Sequence, residues 1–215
     1  MIFIICGAYG SGKSEYSATL ALKKRNSTIV DLDIMNPYFR TRELQEIFDK
    51  NGVELIAPKG SLKYADVPII PPQIRGVIEN RDKNVIIDLG GESGAKVITQ
   101  FHDSLVKSMY EMHFVVNTFR PDTDTEQKII NMKNIIQNSS SLQISHIISN
   151  NNLMEETTKN MIISGIKFLQ PIAKRENLKL HRFLIGKQFA SIVENRILGV
   201  KKMVIGPLLK KPWEI

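Results

Sequence analysis

The 215-residue sequence holds one cysteine, Cys6. That excludes an intrachain disulfide and any metal site built on paired cysteines, and makes a buried strand residue the ordinary reading of Cys6. No apolar run approaches the ~20 residues needed to span a membrane. No basic segment precedes the opening "MIFIIC", which runs straight into a glycine turn and reads as a buried strand rather than a secretion signal. These absences lead us to expect a cytoplasmic protein. There is no internal repeat and no low-complexity linker, so a single domain is expected over residues 1–215, with a less regular basic segment from about 186 to 215. His102, His113, His146 and His181 show no ligand spacing, and the sequence assigns them no chemistry.

An apolar fraction of 42% and a charged fraction of 24% are ordinary for a globular chain of this length. The net charge of +7 is unevenly placed: from Lys167 to Ile215 there are eleven Lys/Arg against three Glu, which accounts for the whole excess. A solvated basic face is the plain reading, and attraction to nucleic acid or an anionic surface the sharper one.

Continuous apolar runs such as "NVIIDL" and "HFVVN" suit parallel strands covered on both faces. Strands are expected at 2–6, 28–32, 54–57, 84–89, 113–117, 144–150 and 180–185, with helices at 13–25, 41–51, 72–80, 94–107, 123–137 and 155–175. This alternation predicts an α/β fold with a doubly wound, mostly parallel sheet flanked by helices in three layers. "PKGSLKYADVPIIPP" (58–72) breaks the rhythm and reads as a surface excursion, and the pattern weakens after Ile185.

"GAYGSGKS", Gly7 to Ser14, matches G-x-x-x-x-G-K-[ST] between an apolar strand and an amphipathic helix. A strand that delivers a glycine turn to a helix N-terminus gathers unpaired N–H groups and positive potential around one point. Gly7, Gly10 and Gly12 allow close approach of backbone to phosphate. Lys13 supplies charge for β- and γ-phosphates, and the Ser14 hydroxyl is placed for Mg²⁺. The nucleotide-binding set is therefore Gly7, Gly10, Ser11, Gly12, Lys13, Ser14 and Glu15.

"IVDLDIMNP" places Asp31 and Asp33 at a strand's C-terminal end, where open α/β sheets bind ligands; one of them can instead cap the following turn. In "DLGGESGA", Asp88 can hold Mg²⁺ directly or through water, and the Gly91 N–H can meet a γ-phosphate. Asn150, Asn151 and Asn152 end a further strand, and an asparagine amide can read a base edge or shape a turn; Asn117 offers a weaker version of the same. Arg40, Arg42 and Arg120 fall in expected loops on the same sheet edge, where any of them can steady phosphate charge.

Four motifs, "GAYGSGKS", "DLDIMNP", "DLGGESGA" and "IISNNNL", occur in an order that resembles the MinD/ParA/CobQ-type (SIMIBI class) P-loop NTPases. The likeness covers most of residues 1–155 and is nearest to small CobQ/CobB/MinD/ParA-like proteins. It implies Mg-ATP as ligand. Lys13, Asp33 and Asp88 would be the catalytic residues, Ser14, Asp33 and Asp88 the metal set, Gly91 the second switch and Asn150 the adenine contact. It also implies a nucleotide-dependent homodimer. One departure matters: dimer-activated members carry a lysine after the first loop glycine, and here that residue is Ala8. Membrane-cycling relatives end in an amphipathic helix, which the prolines near Trp213 argue against.

The sequence therefore leads to a Mg-ATP-binding switch with weak or partner-stimulated hydrolysis, acting on a protein partner it does not name. An ATP-dependent phosphotransferase or ligase acting on a small-molecule acceptor is the alternative. A nucleic-acid-binding module ranks below both, because no helix-turn-helix or aromatic RNA-binding signature is present. "ISNNNL" lacks the lysine and aspartate of the guanine-reading N-K-x-D motif, which favours ATP.

Overall fold

In a computed structural model, which describes residues 1–33, 41–57 and 71–209, the apolar runs become strands of one sheet. These are β1 (Ile2–Gly7), β2 (Ser27–Leu32), β3 (Glu54–Ile56), β4 (Asn84–Leu89), β5 (Tyr110–Val116), β6 (His146–Ser149), β7 (Lys179–Gly186), β8 (Arg196–Ile197) and β9 (Val200–Ile205). Their order is β3-β2-β4-β1-β5-β6-β7-β9-β8. Every pairing is parallel except β8 with β9. β1, β2 and the last five residues of β4 are fully buried, as expected for strands covered on both faces. The doubly wound, three-layer architecture is the expected one.

The helices are α1 (Lys13–Lys23), α2 (Gln45–Lys50), α3 (Gln73–Glu79), α4 (Gly91–Ile98), α5 (His102–Ser108), α6 (Glu126–Ser140) and α7 (Lys159–Arg175). They divide unevenly between the faces. Phe3, Ile5, Ile86 and Ile148 pack with Tyr16, Ala18 and Leu20 of α1 and Phe48 of α2. Ile4, Ile87, Phe114 and Ile147 meet apolar residues of α3 to α7 on the other face.

Three expectations change. The helix expected over 94–107 is two helices: α4 starts at Gly91, and a tighter turn at Thr99–Phe101 separates it from α5. There the Thr99 hydroxyl donates to the Lys96 carbonyl (2.6 Å), a local alternative to continuing the helix ladder. Over 41–51 the first turn is a 3₁₀ segment, Thr41–Leu44, before α2. The stretch after Ile185 contains the β8–β9 hairpin, turning through Leu198 and Gly199, both at positive φ. β9 then runs parallel to β7 and extends the sheet. Part of the basic surplus is used internally here, since Lys202 Nζ donates to the carbonyls of Ala190 and Val193 (2.6 Å each). No helix among the described residues is long and apolar enough to cross a membrane.

Candidate nucleotide-binding site

β1 is central, and its C-terminal end opens into the glycine loop between β4 and β5. Register aligns Ile5 with Asp88 and Asp31 with Asp88, so both carboxylates arrive at one level of the sheet beside the loop. Gly10 and Gly12 adopt φ of 69° and 88°, the left-handed region glycine tolerates. A Cβ on Gly12 would collide with the Asn150 side-chain amide.

Helix α1 starts at Lys13 with Gly12 as its N-cap, and no side chain among the described residues caps it. Thr125 and Thr158, by contrast, cap α6 and α7 through hydrogen bonds to Lys128 N and Met161 N. An uncapped first turn keeps its N–H groups and dipole for an anion, as phosphate binding requires. Asn150 braces the loop: its Nδ2 donates to the Ser11 carbonyl at 2.7 Å, while its Oδ1 is buried without a hydrogen-bond partner among the described residues. Ser11 Oγ is likewise buried without one.

Lys13 is 5% exposed, and its Nζ lies 3.2 Å from Asp33 Oδ2. Burial works against the ammonium charge, but Asp33, Asp88 and Asp31 outweigh it and hold the Lys13 pKa above its ordinary value. Asp88 is fully buried; desolvation, opposed by Lys13 and reinforced by Asp33 and Asp31, pushes its carboxyl up to about 7. Ser17 Oγ donates to Asp88 Oδ1 at 3.1 Å, and Asp88 Oδ2 is buried with no hydrogen-bond partner among the described residues. An orphaned carboxylate oxygen beside Ser14 and Asp33 is the donor chemistry a hard divalent cation seeks, so these three residues fit Mg²⁺. Asp31 takes the turn-capping role, its Oδ1 accepting from Asp33 N at 3.0 Å.

Gly91 begins α4 at φ 50°, and the preceding Gly90 packs so closely on Asp33 that a Cβ there would strike it. Asp33 is thereby in direct contact with the glycine pair that follows Asp88 and Leu89. Asn117, Asn151 and Asn152 serve structure. Asn117 Nδ2 donates to the Asn152 carbonyl (2.9 Å), Asn151 bonds Thr118, and Asn152 Oδ1 accepts from Met154 N (2.7 Å). Of these four asparagines, only Asn150 reaches the loop.

Among the arginines, Arg120 meets the loop, its Nε donating to the Gly10 carbonyl at 3.1 Å. Arg40 and the Arg42 side chain lie outside the described residues, as do 58–70 of the proline-rich stretch and 210–215 of the basic segment. The Glu15 carboxylate accepts from Leu208 N (2.7 Å) and Leu209 N (3.2 Å). It thus ties the chain after β9 to the helix that carries Lys13. Burial raises its pKa against those hydrogen bonds. A glutamate beside the loop lysine carries no sequence sign of this distant partner, which lies more than 190 residues away.

No family model and no curated protein matches the chain by sequence. Among solved structures it is similar to the cell division protein ftsY of Thermotoga maritima, with a TM-score of 0.57 and 15% identity over 87% of this chain and 62% of that one. The signal recognition particle receptor FtsY of Elizabethkingia anophelis gives 0.53 and 12% over 89% and 61%. The same receptor in complex with GDP gives 0.54 and 14% over 86% and 57%. The chain thus spans about three-fifths of the length of these structures. At such identities the likeness is one of fold alone, a mostly parallel sheet flanked by helices in three layers.

Proposed function

We propose that this chain binds a magnesium–nucleoside triphosphate, ATP by its sequence, and works as a nucleotide-dependent switch with slow intrinsic hydrolysis. The observation that carries the reading is the uncapped α1 N-terminus, closed by Asn150 and flanked by the buried Lys13 and Asp88. Lys13 and the N–H groups of the loop bind the phosphates, and Ser14 with Asp33 and Asp88 holds Mg²⁺. Lys13 exchanges its Asp33 contact for phosphate, so that the loops after Asp33 and Asp88 feel the nucleotide directly.

Slow turnover follows from Ala8, a buried methyl where dimer-activated MinD/ParA relatives carry a lysine. A nucleotide-dependent homodimer and a protein partner belong to this reading, by resemblance to that family. A fold neighbour solved with GDP makes GTP the nucleotide to test against ATP.

The experiment is titration of fluorescent ATP and GTP analogues with Mg²⁺, followed by phosphate release across a range of protein concentrations, with Lys13→Ala as control. Saturable binding of ATP in preference to GTP, lost in Lys13→Ala, is expected. Equal binding by Lys13→Ala overturns the site, and preference for GTP overturns the choice of base.

A further inference from the structure

The three histidines His113, His146 and His181 are separated by more than thirty residues each in sequence, yet they meet on one face of the sheet. His113 of β5 pairs in register with His146 of β6, which puts both rings on the α1 face with centroids 4.9 Å apart. Pairing of β6 with β7 then jumps from Ile147↔Leu180 to Ile148↔Arg182. His181 is the bulged residue, its ring 5.0 Å from His146 and 5.6 Å from His113. Glu111 precedes His113 by two residues and shares its face, with Oε2 3.1 Å from His113 Nε2.

We propose that Glu111, His113 and His146, with His181 beside them, form a binding site for a borderline transition-metal cation of the Zn²⁺ kind. One ligand atom from each of the first three lies within 4.8 Å of the others. Two imidazoles and a carboxylate are a recognised three-ligand zinc set, which leaves a fourth position for His181 or water. Each of the paired rings is held through Nδ1, His113 by the Tyr16 hydroxyl (2.9 Å) and His146 by the Ser145 hydroxyl (2.8 Å). Such outer hydrogen bonds orient metal-binding histidines and free Nε2 for the ion. His113 is buried and fixed, whereas Glu111, His146 and His181 are half-buried, so they can draw inward and the ion has a route from solvent.

Arg182, Lys24 and Lys179 also face the cluster and act against a dication. The site therefore selects a metal that gains from imidazole donors, and excludes Mg²⁺, which prefers oxygen. This separates it from the phosphate loop, whose donors are hydroxyl and carboxylate oxygens.

The test uses the full chain, stripped with chelator and held in excess Mg²⁺ without nucleotide. Zn²⁺ is titrated against a competing indicator, and Co²⁺ is then added to read the ligand field by visible absorption. One equivalent per chain is expected, at least about tenfold weaker in both His146→Ala and Glu111→Gln and unchanged in His102→Ala. Circular dichroism confirms that each variant is folded. Absence of binding by the wild-type chain, or binding by both His146→Ala and Glu111→Gln at wild-type strength, overturns the proposal.

Discussion

Replacing Asp88 by asparagine tests the electrostatics of the site without touching its shape. The carboxyl is fully buried, and burial pushes its pKa from 3.8 up to about 7. Between those two values the folded chain keeps a proton that the unfolded chain has released. Stability must therefore fall as pH rises through this window, at about 1.4 kcal/mol per pH unit for one group. From pH 5 to pH 7 the loss attributable to Asp88 is about 2 kcal/mol, or about 1 M in urea midpoint for an m-value near 2 kcal/mol/M. The histidines of the sheet face have lowered pKa values and push the other way, adding stability as pH rises. The informative quantity is thus the difference between wild type and Asp88→Asn, in which their contributions cancel. The assay is urea unfolding at pH 5, 6, 7 and 8 with chelator and no nucleotide. Asp88→Asn should gain on wild type steadily as pH rises and level off above about 7. Parallel pH profiles for the two proteins would refute the burial argument and place Asp88 in a solvated or fully paired setting.

Gly12→Ala forces a left-handed φ on alanine, costing about 1–2 kcal/mol, and drives its methyl into Asn150. Nucleotide affinity should be lost in equilibrium titration, and wild-type affinity would show that the loop does not need this closure. Glu15→Ala removes the acceptors of Leu208 and Leu209 N–H and should lower stability by about 1–3 kcal/mol, with glutamine recovering part of it. An unchanged urea midpoint would mean that the contact is incidental. Arg120→Ala removes a guanidinium from the loop at Gly10 and should weaken triphosphate binding more than diphosphate binding, at little cost in stability. Equal loss for both nucleotides would assign Arg120 to holding the loop rather than to the terminal phosphate.

Local chemistry made much of the fold legible in advance. β1, β2 and β4 are runs of β-branched and apolar residues with no polar alternation, so they had to be buried strands, and glycine at positions 7, 10 and 12 announced a turn that no other residue forms cheaply. The glycine loop and the strand-end aspartates are readable because each depends on neighbours a few residues away.

Long-range pairing decided the rest. Asp31 and Asp33 looked alike in sequence, and only the turn after β2 made Asp31 the cap while Lys13 met Asp33. Residue type alone did not separate Asn150, Asn151 and Asn152, the first of which only the resemblance had singled out; packing brings that one against Ser11. Glu15 found its partners across the whole length of the chain, and the histidines found one another only when β5, β6 and β7 were placed side by side, with a bulge turning the last. Residue type fixes what a side chain can bond, but parallel-strand register, set between segments far apart in sequence, fixes what it meets.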